Sequence, residues 1–315
     1  MRLICLSRIL SVLFGACATS VLLAAPLAFV ANEKSATVSL IDTATDQRVG
    51  DIPTGERPRG ITSGQGRVYV TDGKSASLLE LDPQLGKIVR QINVGDSPEG
   101  VSLSPDGKLL AVAVEDDNAV VLIRVADGKV LARIKVQGKN PEHTVFSPDS
   151  RWLLTSAEEA EQVDLIDVRK RRQVASIPVG KRPRGIGFLP DGRAAYVACE
   201  LAGKVYVIDL ARQQAVAEIK AGDFPNGIAV APDGQRVYVS NGRSASVMAI
   251  DTRSNAVVAE VEVGKRPWNM ALTPAGDKLY VANGRSGTVS VIDTARFERL
   301  TEIEVGELPW GVSIK

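Results

Sequence analysis

One histidine of this chain stands beside a glutamate and could do acid–base or ligand chemistry. His143 is the only histidine among 315 residues, and it directly follows Glu142. An imidazole beside a carboxylate could act as a general acid or base, or as an axial ligand. A metal site usually needs three or four ligands, and no second ligand type stands at a supporting spacing. We therefore expect a structural role for His143, and we predict no metal, no cofactor and no catalytic triad.

Charged and aromatic residues also flank a proline that recurs seven times, and these residue types bind ligands through ion pairs and ring contacts. The predicted binding residues are Arg57, Arg59, Glu99, Glu142, His143, Arg182, Arg184, Phe224, Asn226, Arg266, Trp268 and Trp310. Trp268 and Trp310 occupy equivalent positions in adjacent copies, which suggests a shelf for an apolar ligand or a protein hot spot. Packing of both indoles over the innermost strands is the alternative.

The charges around these prolines are uneven along the chain. Acidic residues come from the second and third copies, namely Glu99, Glu115, Asp116, Asp117, Glu142, Glu158, Glu159 and Glu161. Basic residues come from the first, fourth, fifth and sixth copies, namely Arg57, Arg59, Lys74, Arg182, Arg184, Arg243, Arg266 and Arg285. One acidic and one basic sector could steer a charged partner into place. Solubilising loop charges are the alternative interpretation.

The spacing of the prolines indicates which elements position these residues. They are Pro58, Pro98, Pro141, Pro183, Pro225, Pro267 and Pro309, with successive spacings of 40, 43 and then 42 residues. A period near 42 is typical of four-stranded propeller blades. In the fifth copy, Pro232-Asp233-Gly234 and Asn241-Gly242 turns separate short strands, and each copy supports four such strands. No segment after the leader has a helical period. We predict an all-β, seven-bladed β-propeller with four-stranded antiparallel blades.

The two ends of the chain match complementary parts of one copy. Residues 29–38 match residues 280–289, so the chain starts at the second strand of a blade, and Gly311–Lys315 is a first strand with nothing after it. We predict that a blade shared between the N- and C-terminal strands closes the ring and leaves no raw sheet edge there. The residues around each recurring proline, which we call the proline segments, and the Asn-Gly turns then share one face. On that face the predicted binding residues form a ring around the channel mouth.

Two smaller patterns point to scaffold roles. An aspartate closes the third strand in six copies, and we expect it to cap backbone N–H groups as an Asx turn. These aspartates are Asp42, Asp82, Asp167, Asp209, Asp251 and Asp293, while Arg124 stands in the remaining copy. Cys199 ends a predicted strand, and we expect it to be a small buried residue rather than a reactive thiol.

The N-terminus has the pattern of a targeting segment. Arg2 and Arg8 form a basic start, and Ile9–Ala28 is almost wholly apolar. We predict a signal peptide over residues 1–28 and a periplasmic propeller over residues 29–315. A retained membrane anchor over Ile9–Ala31 and lipidation at Cys17 are the alternatives. The net charge of +1 provides no global field for nucleic acid.

Three predicted second strands carry a family resemblance. Val68–Asp72, Val237–Asn241 and Leu279–Asn283 read VYVTD, VYVSN and LYVAN. They resemble the YVTN-type β-propeller repeat, and with the recurring Ile-Asp and Gly-x-x-Pro marks the likeness covers the predicted mature chain. The length, the seven copies and the wrapped ends are most similar to the exported subgroup associated with PQQ-dependent alcohol catabolism.

This resemblance implies a seven-bladed fold and a role beside periplasmic quinoprotein dehydrogenases or transport components. A partner would be such a protein or a small ligand, not nucleic acid, and membrane contact requires that the leader is retained or lipidated. The chain has three tryptophans where quinoprotein dehydrogenases carry a tryptophan motif in each blade, so we do not expect it to hold PQQ. It also lacks the Cys-x-x-Cys-His sequence of c-type haem attachment.

Three functional hypotheses follow from these patterns. The first is an exported, non-catalytic propeller that binds a protein or a small ligand at the channel mouth and is accessory to quinoprotein metabolism. The second is a lactonase-like hydrolase that uses His143 or carboxylates at the mouth, because lactonase-type propellers share the blade count. The third is a cell-surface adhesion propeller, which depends on a retained leader.

Overall fold

Seven small antiparallel sheets make up the described part of the chain. The computed structural model describes residues 26–314, which form 28 strands and no helix. The strands assemble into seven four-stranded sheets, one for each blade. β-branched and aromatic residues such as Val237, Tyr238 and Val239 fill the strand interiors, and turn residues separate them. The prediction of an all-β, seven-bladed propeller is confirmed.

Each blade runs from an innermost strand beside the channel to an exposed outer strand. The innermost strands are β4 (Pro58–Gly64), β8 (Pro98–Leu103), β12 (Pro141–Phe146), β16 (Pro183–Phe188), β20 (Pro225–Val230), β24 (Pro267–Leu272) and β28 (Pro309–Ile314). The second strands are β1 (Leu27–Asn32), β5 (Arg67–Asp72), β9 (Leu109–Val114), β13 (Trp152–Ala157), β17 (Ala194–Cys199), β21 (Arg236–Asn241) and β25 (Lys278–Asn283).

The third and outer strands complete the sheets. The third strands are β2 (Thr37–Asp42), β6 (Ser77–Asp82), β10 (Ala119–Arg124), β14 (Gln162–Asp167), β18 (Lys204–Asp209), β22 (Ser246–Asp251) and β26 (Thr288–Asp293). The outer strands are β3 (Gln47–Pro53), β7 (Lys87–Asn93), β11 (Val130–Lys135), β15 (Arg172–Pro178), β19 (Gln214–Lys220), β23 (Ala256–Glu262) and β27 (Glu298–Glu304). We number the blades from one, which begins at β4, to seven, whose sheet has the order β28, β1, β2, β3.

The predicted leader, residues 1–28, lies outside the described residues except for its last three positions. Leu27 begins β1, and Ala28 is fully buried opposite Ile41 of β2 and Ile314 of β28. Cleavage between Ala28 and Phe29 would therefore remove two residues from the first strand. The domain boundary stays a prediction. Among residues 26–314, no helix has the length and apolarity to cross a bilayer.

The hydrophobic core lies between neighbouring blades. Val38 and Ile52 of blade seven, for example, pack with Val68 and Val70 of blade one, and all four are almost fully buried. Each blade buries one face on the preceding blade and the other on the next, so the core is a continuous ring of interfaces. Stability therefore depends on close contact between sheets, as expected for burial of apolar surface.

The scaffold predictions for the repeated aspartates and for Cys199 are confirmed. Asp251 accepts hydrogen bonds from the backbone N–H groups of Arg253 and Ser254, each at 3.1 Å, and the other repeated aspartates make equivalent turns. Arg124, which replaces this aspartate in blade two, instead pairs with Asp127 at 2.5 Å. Cys199 is fully buried, and burial raises the pKa of its thiol to about 12.

A β-bulge at the start of the innermost strands decides what faces the channel mouth. In blade five, Pro225 lies opposite Asn241 but Ile228 lies opposite Val239, so one extra residue stands between them. The same shift follows the strand-starting proline in blades one to six, and blade seven has a related shift between Pro309 and Gly311. The sequence predicted that the last innermost strand starts at Gly311, whereas β28 starts two residues earlier, at Pro309. Proline is tolerated at the first residue of a strand. A β-bulge turns side chains out of the hydrogen-bonded ladder, and these bulges contain residues of the predicted ring.

Candidate functional site

Two residues of each bulge face the channel mouth or the next blade. The first bulge residues are Arg59, Glu99, Glu142, Arg184, Asn226, Trp268 and Trp310. The second bulge residues are Gly60, Gly100, His143, Gly185, Gly227, Asn269 and Gly311. All seven first bulge residues belong to the predicted ring, so one repeated backbone feature positions most of it.

Neighbouring innermost strands touch backbone to backbone at the second bulge position. A Cβ on Gly227 would lie 2.4 Å from the carbonyl oxygen of Trp268 and 3.0 Å from the Cα of Asn269. The Ser240 hydroxyl accepts from the Gly227 N–H at 2.8 Å and donates to the Trp268 carbonyl at 2.5 Å. This hydroxyl joins two blades, and glycine is the residue that lets the strands approach so closely.

The first cluster of charges joins blades seven, one and two. The Arg59 guanidinium contacts both carboxylate oxygens of Glu99, at 2.7 and 2.6 Å, and both of Glu33, at 3.1 and 3.3 Å. Arg57 contacts Glu33 at 3.2 Å. Glu99 is fully buried, and burial raises its pKa to about 8, with Glu142 adding to the rise and Arg59 opposing it. Burial disfavours the charged form of Arg59 as well, but Glu99 and Glu33 hold its pKa above the ordinary value.

The second cluster joins blades three and four around Arg184. Its guanidinium lies 2.6 Å from Glu142, 3.0 Å from Glu158 and 3.0 Å from Glu200. Arg182 adds contacts of 2.5 Å to Glu158 and 3.3 Å to Glu200. Burial opposes ionisation of Glu142, but Arg184 holds its pKa below the ordinary value. These are desolvated pairs, so removing one partner would leave charge buried without compensation.

The predicted acidic and basic sectors make ion pairs with each other where they adjoin, between blades one and two and between blades three and four. Acids and arginines interleave, and Arg266 of blade six reaches past blade five to Glu200 of blade four, at 2.6 Å. The prediction missed Glu33 and Glu200, although the repeat contains a signal for them. Both stand at the first turn position after the second strand, which is also glutamate in blades two and three and glycine in blades one, five and six.

Glycine at this turn position makes room for a side chain from the proline segment. Atoms of Arg57, Arg266 and Trp268 lie 3.0, 3.3 and 2.2 Å from the Cβ positions that Gly73, Gly242 and Gly284 would have. Glu33, Glu158 and Glu200 at this position form ion pairs, whereas Glu115 accepts from the Ser97 hydroxyl. Blades with glycine fold an arginine or an indole across the turn.

His143 and Asn269 meet across the central channel. His143 belongs to blade three and Asn269 to blade six, and His143 Nε2 lies 3.2 Å from Asn269 Oδ1. The imidazole also stacks on Trp310, with 5.4 Å between ring centroids and 11° between planes. Asn269 Nδ2 donates to the Trp310 carbonyl at 3.3 Å, so its Oδ1 faces a donating Nε2–H. His143 and Asn269 both stand where the other five copies have glycine, and the predicted ring included His143 but not Asn269.

Trp268 and Trp310 have different surroundings. Trp310 is buried and stacks on His143, whereas Trp268 folds over Gly284. The two indoles take separate partners, which favours packing over the shelf that the sequence suggested.

The pH dependence of unfolding should report the His143 environment. Burial lowers the pKa of His143 below its ordinary 6.5, Arg184 adds to this, and Glu142 opposes it. Since the unfolded imidazole then binds protons more readily than the folded one, its stabilising contribution is complete above pH 6.5. It should be lost as pH falls through the lowered pKa, by at most about 1.4 kcal/mol per pH unit.

Urea unfolding of the wild type and of His143→Gln between pH 5 and pH 7.5 measures this contribution. The difference between their unfolding free energies should change over the window just below pH 6.5. Glu99 works in the opposite direction, because its raised pKa costs stability as pH rises from 4.5 to about 8. Glu99 is common to both proteins, so the difference isolates His143. A difference independent of pH would contradict the assignment.

Three carboxylates at the mouth lie close enough to share a cation. Oxygens of Glu115, Glu142 and Glu158 lie within 4.8 Å of one another, and hard divalent cations prefer such ligands. However, Arg184 already contacts Glu142 and Glu158, and the Ser97 hydroxyl donates to Glu115 at 3.0 Å. A cation would have to compete with the guanidinium, so the arrangement favours an ion-pair scaffold.

A cleft between blades five and six is lined differently, by basic residues around Phe224. The Arg243 and Arg266 guanidinium carbons lie 4.1 and 5.1 Å from the Phe224 ring centroid. Lys265 and Arg285 complete the basic lining of a cavity of about 380 Å³. The sequence prediction included Phe224 and Arg266 in the ring and Arg243 and Arg285 among the basic residues, but it missed Lys265.

The structure separates the predicted ring into buried and accessible members. Glu99, Glu142, Asn226 and Trp310 are buried, so they support the mouth from within. Accessible atoms at this face belong mainly to the turns and to the proline segments, including Arg57, Arg182, Phe224, Arg266 and Trp268.

Comparison with known proteins gives the family and the fold. A family model described as lactonase, 7-bladed β-propeller, matches residues 143–304, and a YNCE-like β-propeller model matches residues 4–151. No curated protein sequence matches the chain. A structure of Kuenenia stuttgartiensis hydrazine synthase has a TM-score of 0.77 and 24% identity, over 90% of this chain and 99% of that chain.

A functionally unknown protein from Desulfotomaculum acetoxidans has a TM-score of 0.79 and 18% identity, over 91% of this chain and 98% of that chain. At these identities the similar structures show the propeller fold alone.

Proposed function

Because the chain belongs to the seven-bladed β-propeller family that the lactonase model describes, we propose that it is a binding propeller of that fold. It holds a protein partner or a small ligand at its channel-mouth face and catalyses no reaction there. The channel-mouth face comprises the proline segments and the turns that follow the second strands.

The observation that supports this proposal is the pairing of the buried carboxylates at the mouth. Arg59 contacts Glu99, Arg184 contacts Glu142, and Arg266 contacts Glu200, each at 2.6 to 2.7 Å. A general base must present a free lone pair to water or substrate. Carboxylates held in desolvated ion pairs instead fix the geometry of the turns around them. A rigid scaffold that presents variable turns is suited to binding.

The resemblance to exported propellers of PQQ-dependent alcohol catabolism suggests the setting. The protein would act in the periplasm, accessory to a quinoprotein alcohol dehydrogenase or a transport component. The exposed residues of the mouth turns, including Lys74 and Leu201, provide both charge and apolar surface for such a contact.

Titration of a purified, PQQ-loaded alcohol dehydrogenase from the same periplasm onto the immobilised propeller tests the proposal. We expect saturable binding that Lys74→Glu with Leu201→Arg weakens by about tenfold or more, the effect of losing at least 1.4 kcal/mol. Arg253→Glu with Arg296→Glu, which changes two exposed residues on the opposite face, is the control. No binding, or an equal loss in both double variants, would exclude this partner and this face.

Lactone hydrolysis is the second candidate, and the lactonase match to residues 143–304 favours it. The residues to test are Glu142 and His143, which stand at the mouth beside Arg184. Turnover of a panel of aliphatic and sugar lactones, followed by proton release, distinguishes the candidates. The binding proposal expects the buffer rate. Turnover that both Glu142→Gln and His143→Gln abolish, with the circular dichroism spectrum unchanged, would establish the hydrolase instead.

A further inference from the structure

We propose that the cleft between blades five and six binds a small organic polyanion, a molecule with two or more carboxylate or phosphate groups. This cleft is part of the channel-mouth face, so the inference deepens the proposed function and rests on it. The residues that line it with charge are Arg243, Lys265, Arg266 and Arg285, and we call them the basic quartet.

The first argument is the absence of neutralising partners for most of the basic quartet. Across residues 26–314, no carboxylate oxygen lies within 4.0 Å of the charged nitrogens of Arg243, Lys265 or Arg285. Arg266 gives Nη2 to Glu200, and its remaining N–H groups are not paired with a carboxylate. Like charges gathered in one cavity oppose folding, and an anion placed between them would relieve that repulsion.

The second argument is the way Phe224 orders two of the guanidinium groups. Arg243 and Arg266 both approach the Phe224 ring, which restricts long side chains that would otherwise sample many rotamers. A guanidinium held in place offers a planar fork that matches a carboxylate or phosphate edge. Phe224 therefore serves as a platform for the cations, and the ligand would meet the charged edges rather than the ring.

The third argument is a comparison inside the molecule. Two repeats earlier, an equivalent cleft between blades three and four is lined by Glu158, Glu159, Glu161, Lys181, Arg182 and Leu201. Glu159 replaces Arg243 there, Leu201 replaces Arg285, and Arg182 is neutralised by Glu158 at 2.5 Å. The same backbone thus carries opposite charge at two places. The basic quartet is a property of these particular residues and not of the repeat.

The size of the cleft narrows the ligand class. A cavity of about 380 Å³ falls in the range of small-molecule sites and exceeds the volume of a single inorganic anion. Four cations around it can satisfy more than one anionic group. Both properties fit an organic molecule with separated carboxylate or phosphate groups.

Isothermal titration of the full propeller with citrate and, separately, with fructose 1,6-bisphosphate tests the proposal, with glycerol as the neutral probe. The pocket variant is Arg243→Glu with Arg285→Leu, which installs the residues of the equivalent cleft. Both arginines are exposed, so we expect the fold to persist. The control is Arg253→Glu with Arg296→Leu, which makes the same change of charge in the same two blades on the opposite face.

We expect saturable one-to-one binding of citrate or fructose 1,6-bisphosphate, and the tighter probe identifies the preferred anionic group. Binding should weaken about tenfold or more in the pocket variant, remain in the control variant, and decline with added salt. Absence of saturable binding for both probes, or an equal loss in both variants, would overturn the inference. Dehydrogenase binding that persists without anion binding would show that only this inference fails, and the proposed function would stand.

Discussion

Replacing Arg184 with methionine is expected to destabilise the propeller by about 3–5 kcal/mol, because it removes the shared partner of two buried carboxylates and a partly buried one. The guanidinium lies within 3.0 Å of Glu142, Glu158 and Glu200, and the Glu142 and Glu200 side chains are 4% and 0% exposed. Methionine keeps much of the side-chain volume and removes the charge. The carboxylates would then remain desolvated without their main compensating partner.

Chemical unfolding at pH 7.5 and pH 5 measures the effect. We expect a smaller loss at pH 5, since carboxyls without a cation take up protons more readily. Adding Glu142→Gln to Arg184→Met should recover part of the loss. Arg193→Met is the matched control, because Arg193 and Asp191 form an exposed pair at 2.7 Å, and it should leave the unfolding free energy unchanged. A loss no larger for Arg184 than for Arg193 would contradict the buried network.

Alanine at Gly227 is expected to cost about 3 kcal/mol, at the upper end of the range for overpacking, because its Cβ meets backbone rather than a movable side chain. The added carbon would lie 2.4 Å from the Trp268 carbonyl oxygen and would force blades five and six apart. The Ser240 bridge between these blades would be strained as well.

Gly50 provides a control for this second prediction. A Cβ on Gly50, in the outer strand of blade seven, meets nothing within 4 Å. Gly50→Ala should therefore be neutral or slightly stabilising, through the lower entropy of the unfolded chain. Gly185→Ala should repeat the Gly227 result, since its Cβ would lie 2.4 Å from the Asn226 carbonyl. Equal midpoints for Gly50→Ala and Gly227→Ala in thermal unfolding would show that the innermost strands are not in backbone contact.

The two predictions concern different forces at the same mouth. Arg184 tests electrostatic compensation between side chains, and Gly227 tests the approach of one strand to the next. In both predictions the buried residues of the mouth stabilise the fold. Binding therefore depends on accessible residues such as Arg243 and Arg285.

The repeat, the approximate strand positions and the fold could all be predicted from the sequence. Apolar and β-branched residues recur with a period that only packed four-stranded units can bury, and the turn residues separate the strands wherever they occur. The strands and turns of one copy can be predicted from its own residues, and the next copy repeats the same pattern. The turn role of Asp251 and the burial of Cys199 followed for the same reason.

Which charged side chains contact one another depends on the tertiary structure. Glu200 and Arg266 are 66 residues apart and two blades apart, yet they touch at 2.6 Å because Gly242 leaves the intervening turn open. Likewise, His143 meets Asn269 only because the ring brings opposite blades to one narrow channel. The residues of one repeat are enough to specify the strands of one blade. Contacts between distant blades depend instead on residues that depart from the repeat pattern in several blades at once. The places of these residues in the repeat could therefore be predicted. Their pairing could not, because it depends on how the blades are arranged around the channel.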